Sequence, residues 1–258
     1  MKIAVRGGHN FLATGSKALI DEVIEDRKVK DSVIKYLRQL GHEVLDVTPG
    51  NMDSDSDLVF GVNKANNWGA ELFISIHFNK AYSSYTGKIG AECLVYSKTD
   101  NITLDEQVAT RIQKALDELG FTGPKNKSRG VKENKELYEL RATKMASIII
   151  EVCFVEATED VALYKKLGQD KIGQVIAEAI SNKKIEKVEE YDMNKIVLYY
   201  GDADLFGAVM VAQKNQCPLM KLNDFKASGL KAKKVIQIGG KPNDTNRYVT
   251  FKNAAALV

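Results

Sequence analysis

Two periods of apolar residues alternate along the first part of the chain. "KIAVRGG" (2–8) reads as a strand closing on glycines, and "EDRKVKDSVIKYLRQLG" (25–41) as an amphipathic helix with Val29, Val33, Ile34 and Leu37 on one face and Gly41 as its stop. "HEVLDV" is the next strand and "LVFGVNKANNWG" the next helix. "AELFISIHFN" and "AECLVYS" follow as strands, "LDEQVATRIQKALDELG" as a second amphipathic helix, then the strand "SIIIEVCFV" and the helix "KIGQVIAEAIS". Strands separated by helices of this length predict an α/β fold with a mostly parallel sheet flanked by helices, and such sheets bind ligands at the C-terminal ends of their strands.

Beyond the charged stretch "KKIEKVEEYD" (183–192) the pattern returns on a smaller scale. "KIVLYY" is a strand, "ADLFGAVMVAQKN" a helix, "CPLMKL" and "KKVIQIGG" strands and "TFKNAAALV" a short helix, which predicts a small βαβ-like unit. The expected organisation is a large domain over 1–182, a linker over 183–192 and a small C-terminal α/β domain over 193–258. Charge follows the same division: the three segments carry −2, −1 and +6, the last from ten Lys/Arg against four Asp. A basic small domain beside a near-neutral large one suggests an anionic partner for the tail. Gly239 and Gly240 lack the spacing of a phosphate loop, a turn is enough to explain them, and no nucleic-acid partner is expected.

At 258 residues and 44% hydrophobic content the chain buries a full core. No apolar run of secretory length opens it, and none approaches the ~20 residues of a membrane span, so it is expected to be cytoplasmic when made. Cys93, Cys153 and Cys217 are odd in number, far apart and set in apolar surroundings, which predicts buried free thiols.

The chemistry lies where the pattern breaks. Glu151 stands inside an apolar strand, between Ile150 and Val152, where an unpaired carboxylate is costly. Of the three histidines, His9 follows the first strand and its two glycines, His77 ends the strand "FISIHFN", and His42 opens a strand after a helix stop. Two strand-end histidines and a strand-end Glu suit a hydrolytic zinc, which takes three ligands from His and Asp/Glu and keeps a fourth position open. A separate carboxylate then moves the proton, and Glu151 fits that role. The third ligand missing from this set is an acid.

Gly-Gly-His at 7–9, "ISIHFN" at 74–79, "TGKIGAECLVYS" at 86–97, "SRGVKENKELYELR" at 128–141 and "SIIIEVCFVE" at 147–156, in this order, resemble the zinc-dependent N-acetylmuramoyl-L-alanine amidases of the amidase-3 type over residues 1–182. The resemblance implies Zn²⁺ held by His9, a Glu that opens the first helix, and His77, with Glu151 as catalytic acid. It places the helix Glu 19 residues before Gly41, at Glu22, with Glu25 as the alternative. It further implies substrate binding by Asn79 and Arg129, with Arg141 a weaker candidate, and leaves Glu92 as support outside the metal set. The implied reaction is cleavage of the amide between N-acetylmuramic acid and L-alanine in peptidoglycan.

"VIQIGGKPNDTNRYVTFKNAA" resembles cell-wall-binding repeats and the C-terminal domains of clostridial phage endolysins, which implies an anionic wall polymer as partner of the tail. With no export signal, a phage endolysin is expected, made in the host cytoplasm and released through a holin pore. The small tail is expected to associate into homo-oligomers, and Met193 is a candidate internal translation start for a separate fragment. The rival readings are another zinc peptidase acting within the peptide stem, and a wall-polymer-binding protein with an inactive amidase domain.

Overall fold

The computed structural model describes residues 1–97, 102–185 and 191–258, and divides the chain into two units, Met1–Ile185 and Glu186–Val258. Residues 186–190 of the expected linker lie outside the described residues.

In the first unit β1 (Lys2–Gly7), β2 (Glu43–Asp46), β3 (Leu72–Asn79), β4 (Glu92–Val95), β5 (Val131–Glu133) and β6 (Ala146–Phe154) form one sheet in the order β2-β1-β3-β6-β4-β5. β2, β1, β3 and β6 are parallel; β4 is antiparallel to β6 and parallel to β5. The α-helices are α1 (Glu22–Gln39), α2 (Ser54–Trp68), α3 (Leu104–Leu119), α4 (Tyr138–Arg141) and α5 (Thr158–Ser181).

Strand alternation sorts the side chains between two layers. Ile3, Val5, Ile74, Ile76, Ile148, Ile150 and Val152 join Val29, Val33 and Leu37 of α1, Ile112 of α3 and Ile176 of α5 in the main core. Fully burying each of these aliphatic side chains contributes about 1.5–3 kcal/mol. The intervening positions face the other way, where Ala4 and Phe73 pack with Ala65 of α2, and Leu94 and Ile149 pack with Leu140 of α4. Glu151 is therefore flanked in sequence by residues of the opposite face.

Several elements differ from the sequence reading. α1 begins at Glu22 rather than Glu25, with extended Asp21 before it. α5 begins at Thr158, well before "KIGQ"; Gly168, at φ 76 and ψ 155, interrupts it, so its two parts share no single period. β5 and α4 are three and four residues long, too short to establish a period.

The second unit contains β7 (Met193–Tyr199), α6 (Leu205–Asn215), β8 (Leu219–Lys221), α7 (Leu222–Ser228), β9 (Ala232–Ile238) and α8 (Arg247–Ala255), with a parallel sheet ordered β8-β7-β9. Val197, Ala208, Val211, Ile238 and Ala254 form its core. α7 has no buried residue, which is why its sequence showed no amphipathic pattern. Gly239 and Gly240 take φ of 78 and 67 in the turn after β9. All three cysteines are free; Cys93 and Cys153 are buried, whereas Cys217, expected to be buried, is half-buried because it precedes β8 in a short loop.

Candidate functional site

The sheet face that carries Ala4, Phe73 and Ile149 also carries the polar residues of the strands. Going two residues along each strand, β1 presents Arg6, β3 presents Ser75 and His77, β6 presents Glu151, and β4 presents Glu92. Register then sets them in a row, with His77 paired to Glu151 across β3 and β6, and Glu151 to Glu92 across β6 and β4.

His9 and Glu22 reach this row from the end of β1 and the start of α1. Gly8 donates from its N–H to Ile76 O at 2.9 Å, and a Cβ there would overlap the His77 ring. Glycine at 8 is thus what lets the His9 segment pass over His77. Glu22, 3% exposed, accepts from Phe78 N at 2.9 Å and from Ser16 N at 2.5 Å, which fixes its carboxylate. Its Oε1 lies 3.4 Å from His9 Nε2 and 3.2 Å from His77 Nδ1. The two imidazoles meet edge to face with centroids 5.1 Å apart.

His9, Glu22 and His77 are the group among the described residues whose donor atoms gather within 4.8 Å of one another. Tetrahedral zinc with bonds of about 2.0–2.1 Å sets neighbouring donors about 3.3 Å apart, which is the spacing of Glu22 Oε1 to both rings. Two neutral nitrogens and one carboxylate make a suitable set for that ion. Burial opposes the charged form of Glu22, but the hydrogen bonds to His77 and His9 outweigh it and hold its pKa far below the usual carboxylate range. Burial likewise opposes His77 protonation, and Glu139 and Glu22 outweigh it, raising His77 well above its usual value.

Glu151 stands beside the trio rather than in it. Burial pushes its pKa up to about 7, further raised by Glu22, Glu92 and Glu139 and opposed by His77. Its Oε2 is buried with no hydrogen-bond partner in the protein. A group that is unpartnered, next to the trio and close to neutrality in proton affinity can both accept a proton and return it. A cavity of about 280 Å³ opens on His9, His77, Glu139 and Glu151.

The remaining candidates make other contacts. Glu25 accepts from Tyr164 Oη at 2.6 Å and pairs with Lys28, away from the trio. Asn79 Nδ2 donates to Glu92 Oε1 at 3.0 Å, and its Oδ1 accepts from Lys80 N. Glu92 Oε2 takes Arg129 at 2.6 Å and Lys132 at 2.5 Å, and the Arg129 guanidinium lies over the Phe154 ring. Arg141 is exposed and rests over Tyr138. His42 bonds Ser181, remote from the site.

Four residues of the site had escaped the sequence reading. Arg6 is fully buried and pairs with Asp57 of α2 and Glu139 of α4. Asp26, one helical turn after Glu22, accepts from His9 N at 3.3 Å; burial pushes it up to about 7. A charged residue inside the apolar strand "KIAVRGG" was the one available signal.

A sequence profile described as N-acetylmuramoyl-L-alanine amidase matches residues 3–182. A protein of Clostridium perfringens strain 13 is 53% identical over 188 residues, covering 72% of this chain and 53% of the relative. A 38.4 kDa protein of Clostridium perfringens is 48% identical over 198 residues, covering 77% of this chain and 56% of that one. The chain thus spans about half the length of the curated relatives it matches. Among solved structures, the catalytic domain of the CD27L endolysin targeting Clostridia difficile is similar at 28% identity and TM-score 0.61, covering 72% of this chain and 99% of that one. The catalytic domain of CwlV from Bacillus (Paenibacillus) polymyxa shares the fold at 22% identity and TM-score 0.58, over 70% of this chain and 97% of that one.

Proposed function

The chain belongs to the N-acetylmuramoyl-L-alanine amidase family, and from that membership we propose that it hydrolyses the amide between N-acetylmuramic acid and L-alanine in peptidoglycan at a zinc held by His9, Glu22 and His77. The observation that carries this reading is the spacing of the trio, with the unpartnered Glu151 carboxylate beside it. Zinc, when bound there, supplies Lewis-acid polarisation of a carbonyl and acidification of water. Glu151 takes the proton of the attacking water and returns it to the departing alanine nitrogen. Burial of Glu151 in an apolar strand raises its proton affinity, which suits a group that accepts a proton and gives it back.

Likeness to an endolysin catalytic domain supports an endolysin role. The second unit, with its net +6 from residue 193 onward, then engages an anionic wall polymer.

Dialysis against a chelator tests the metal requirement. The full chain is expected to lose zinc and its clearing of purified cell walls together, and to regain both when one equivalent of zinc is added back. On walls stripped of anionic polymer, binding of the full chain is expected to weaken while cleavage persists. Wall clearing by a zinc-free chain would refute the metal assignment.

A further inference from the structure

Behind His77, on the side away from Glu22, β1, β3 and α4 close around a buried polar chain. We propose that Glu139, anchored by Arg6 and Ser75, is a positioning residue that holds the His77 ring with Nδ1 toward Glu22 and the metal and with its proton on Nε2; the inference rests on the zinc reading above.

Each link is short and buried. His77 Nε2 lies 3.2 Å from Glu139 Oε2 and 3.0 Å from Ser75 Oγ, and Ser75 donates to Glu139 Oε1 at 3.0 Å. Arg6 Nε is 3.1 Å from that same Oε1. Arg6, Ser75 and Glu139 are 0%, 0% and 3% exposed. Arg6 Nε and Ser75 Oγ both place donors on Glu139 Oε1, so the carboxylate is the acceptor of this chain; the imidazole nitrogen facing its Oε2 then donates, and a neutral ring with its proton on Nε2 keeps the lone pair on Nδ1. A metal-ligating His commonly has its other nitrogen fixed in this way by a carboxylate.

Arg6 extends the support to the other histidine. It donates to Gly7 O at 3.0 Å and to Gly8 O at 2.7 Å, the two residues that lead into His9, and pairs with Asp57, which also accepts from Asn10. One buried guanidinium therefore ties the backing of His77 to the backbone that delivers His9.

Glu139→Gln tests the idea without changing side-chain shape. Arg6 needs an acceptor, so the amide oxygen keeps the Oε1 place and the amide NH₂ replaces Oε2, a donor now facing Nε2. Ser75 is left as the acceptor that still favours the original tautomer, so Glu139→Gln/Ser75→Ala removes both. Zinc affinity of the full chain, measured by chelator competition, is expected to fall on the order of ten- to a hundredfold in the single variant and further in the double. Nitrogen-15 NMR of the ring is expected to show Nε2–H in the zinc-loaded wild type and a shift toward Nδ1–H in the metal-free double variant. Zinc affinities within twofold of wild type in both variants, with the tautomer unchanged, would overturn the proposal. So would a zinc-loaded wild type with the His77 proton on Nδ1, a result that needs no variant to fold. A wild type that takes up no zinc would overturn the metal reading beneath it as well, and that outcome is told apart by uptake alone.

Discussion

Glu151→Gln is expected to keep one zinc per chain and to lower turnover on purified walls by on the order of 10²- to 10⁴-fold, the usual contribution of a positioned general acid and base. The trio does not include Glu151, so the ligand set survives. What disappears is the carboxylate proposed to receive and return the proton, replaced by an amide of the same size. A second readout separates chemistry from folding. Burial raises the pKa of Glu151 in the folded chain to about 7, so the folded state holds that proton more tightly than the unfolded state does. The resulting penalty is absent below the unfolded pKa of about 4.3 and complete only above the folded value. In the metal-free chain, Glu151→Gln is therefore expected to be more stable than wild type at pH 8, with the gap closing as pH falls toward 4. Trp68, the single tryptophan, ends α2 in the first unit, so its fluorescence in urea follows the unfolding of that unit. Wild-type turnover in the variant would remove Glu151 from the mechanism.

Arg6→Met is expected to destabilise the first unit by about 3–5 kcal/mol, the cost of breaking a buried ion pair from one side. Methionine fills much of the volume, yet Asp57 and Glu139, both 3% exposed, lose their cation. The carbonyls of Gly7 and Gly8 lose a donor as well. The Trp68-reported urea midpoint measures the loss, and a midpoint equal to wild type would show that Arg6 is dispensable to the fold.

Much of this site was legible in the sequence because strand periodicity and strand ends are local properties. His9, His77 and Glu151 stand out as polar residues at the close of apolar runs, and alternation alone puts His77 and Glu151 on one face once the strands are paired. Glu22 was reached through the family resemblance, since no helical period starts before Glu25. Glu139 and Asp57 were hidden for a different reason. Each sits in a charged surface-like stretch, "NKELYELR" or "SDSDLVF", and is buried only because Arg6 crosses from β1 to meet both. That meeting joins residues far apart in the chain, which no local pattern records. The reversed pair β4 and β5 was invisible likewise, because strand direction is set by connections and not by composition.

Mass spectrometry of peptidoglycan digested by the full, zinc-loaded chain tests the proposed bond specificity most directly. The expected products are glycan strands whose muramic acids carry free lactyl carboxyl groups, together with stem peptides that begin with a free L-alanine amine. Stem peptides cut internally, with every muramic acid still joined to alanine, would contradict that specificity.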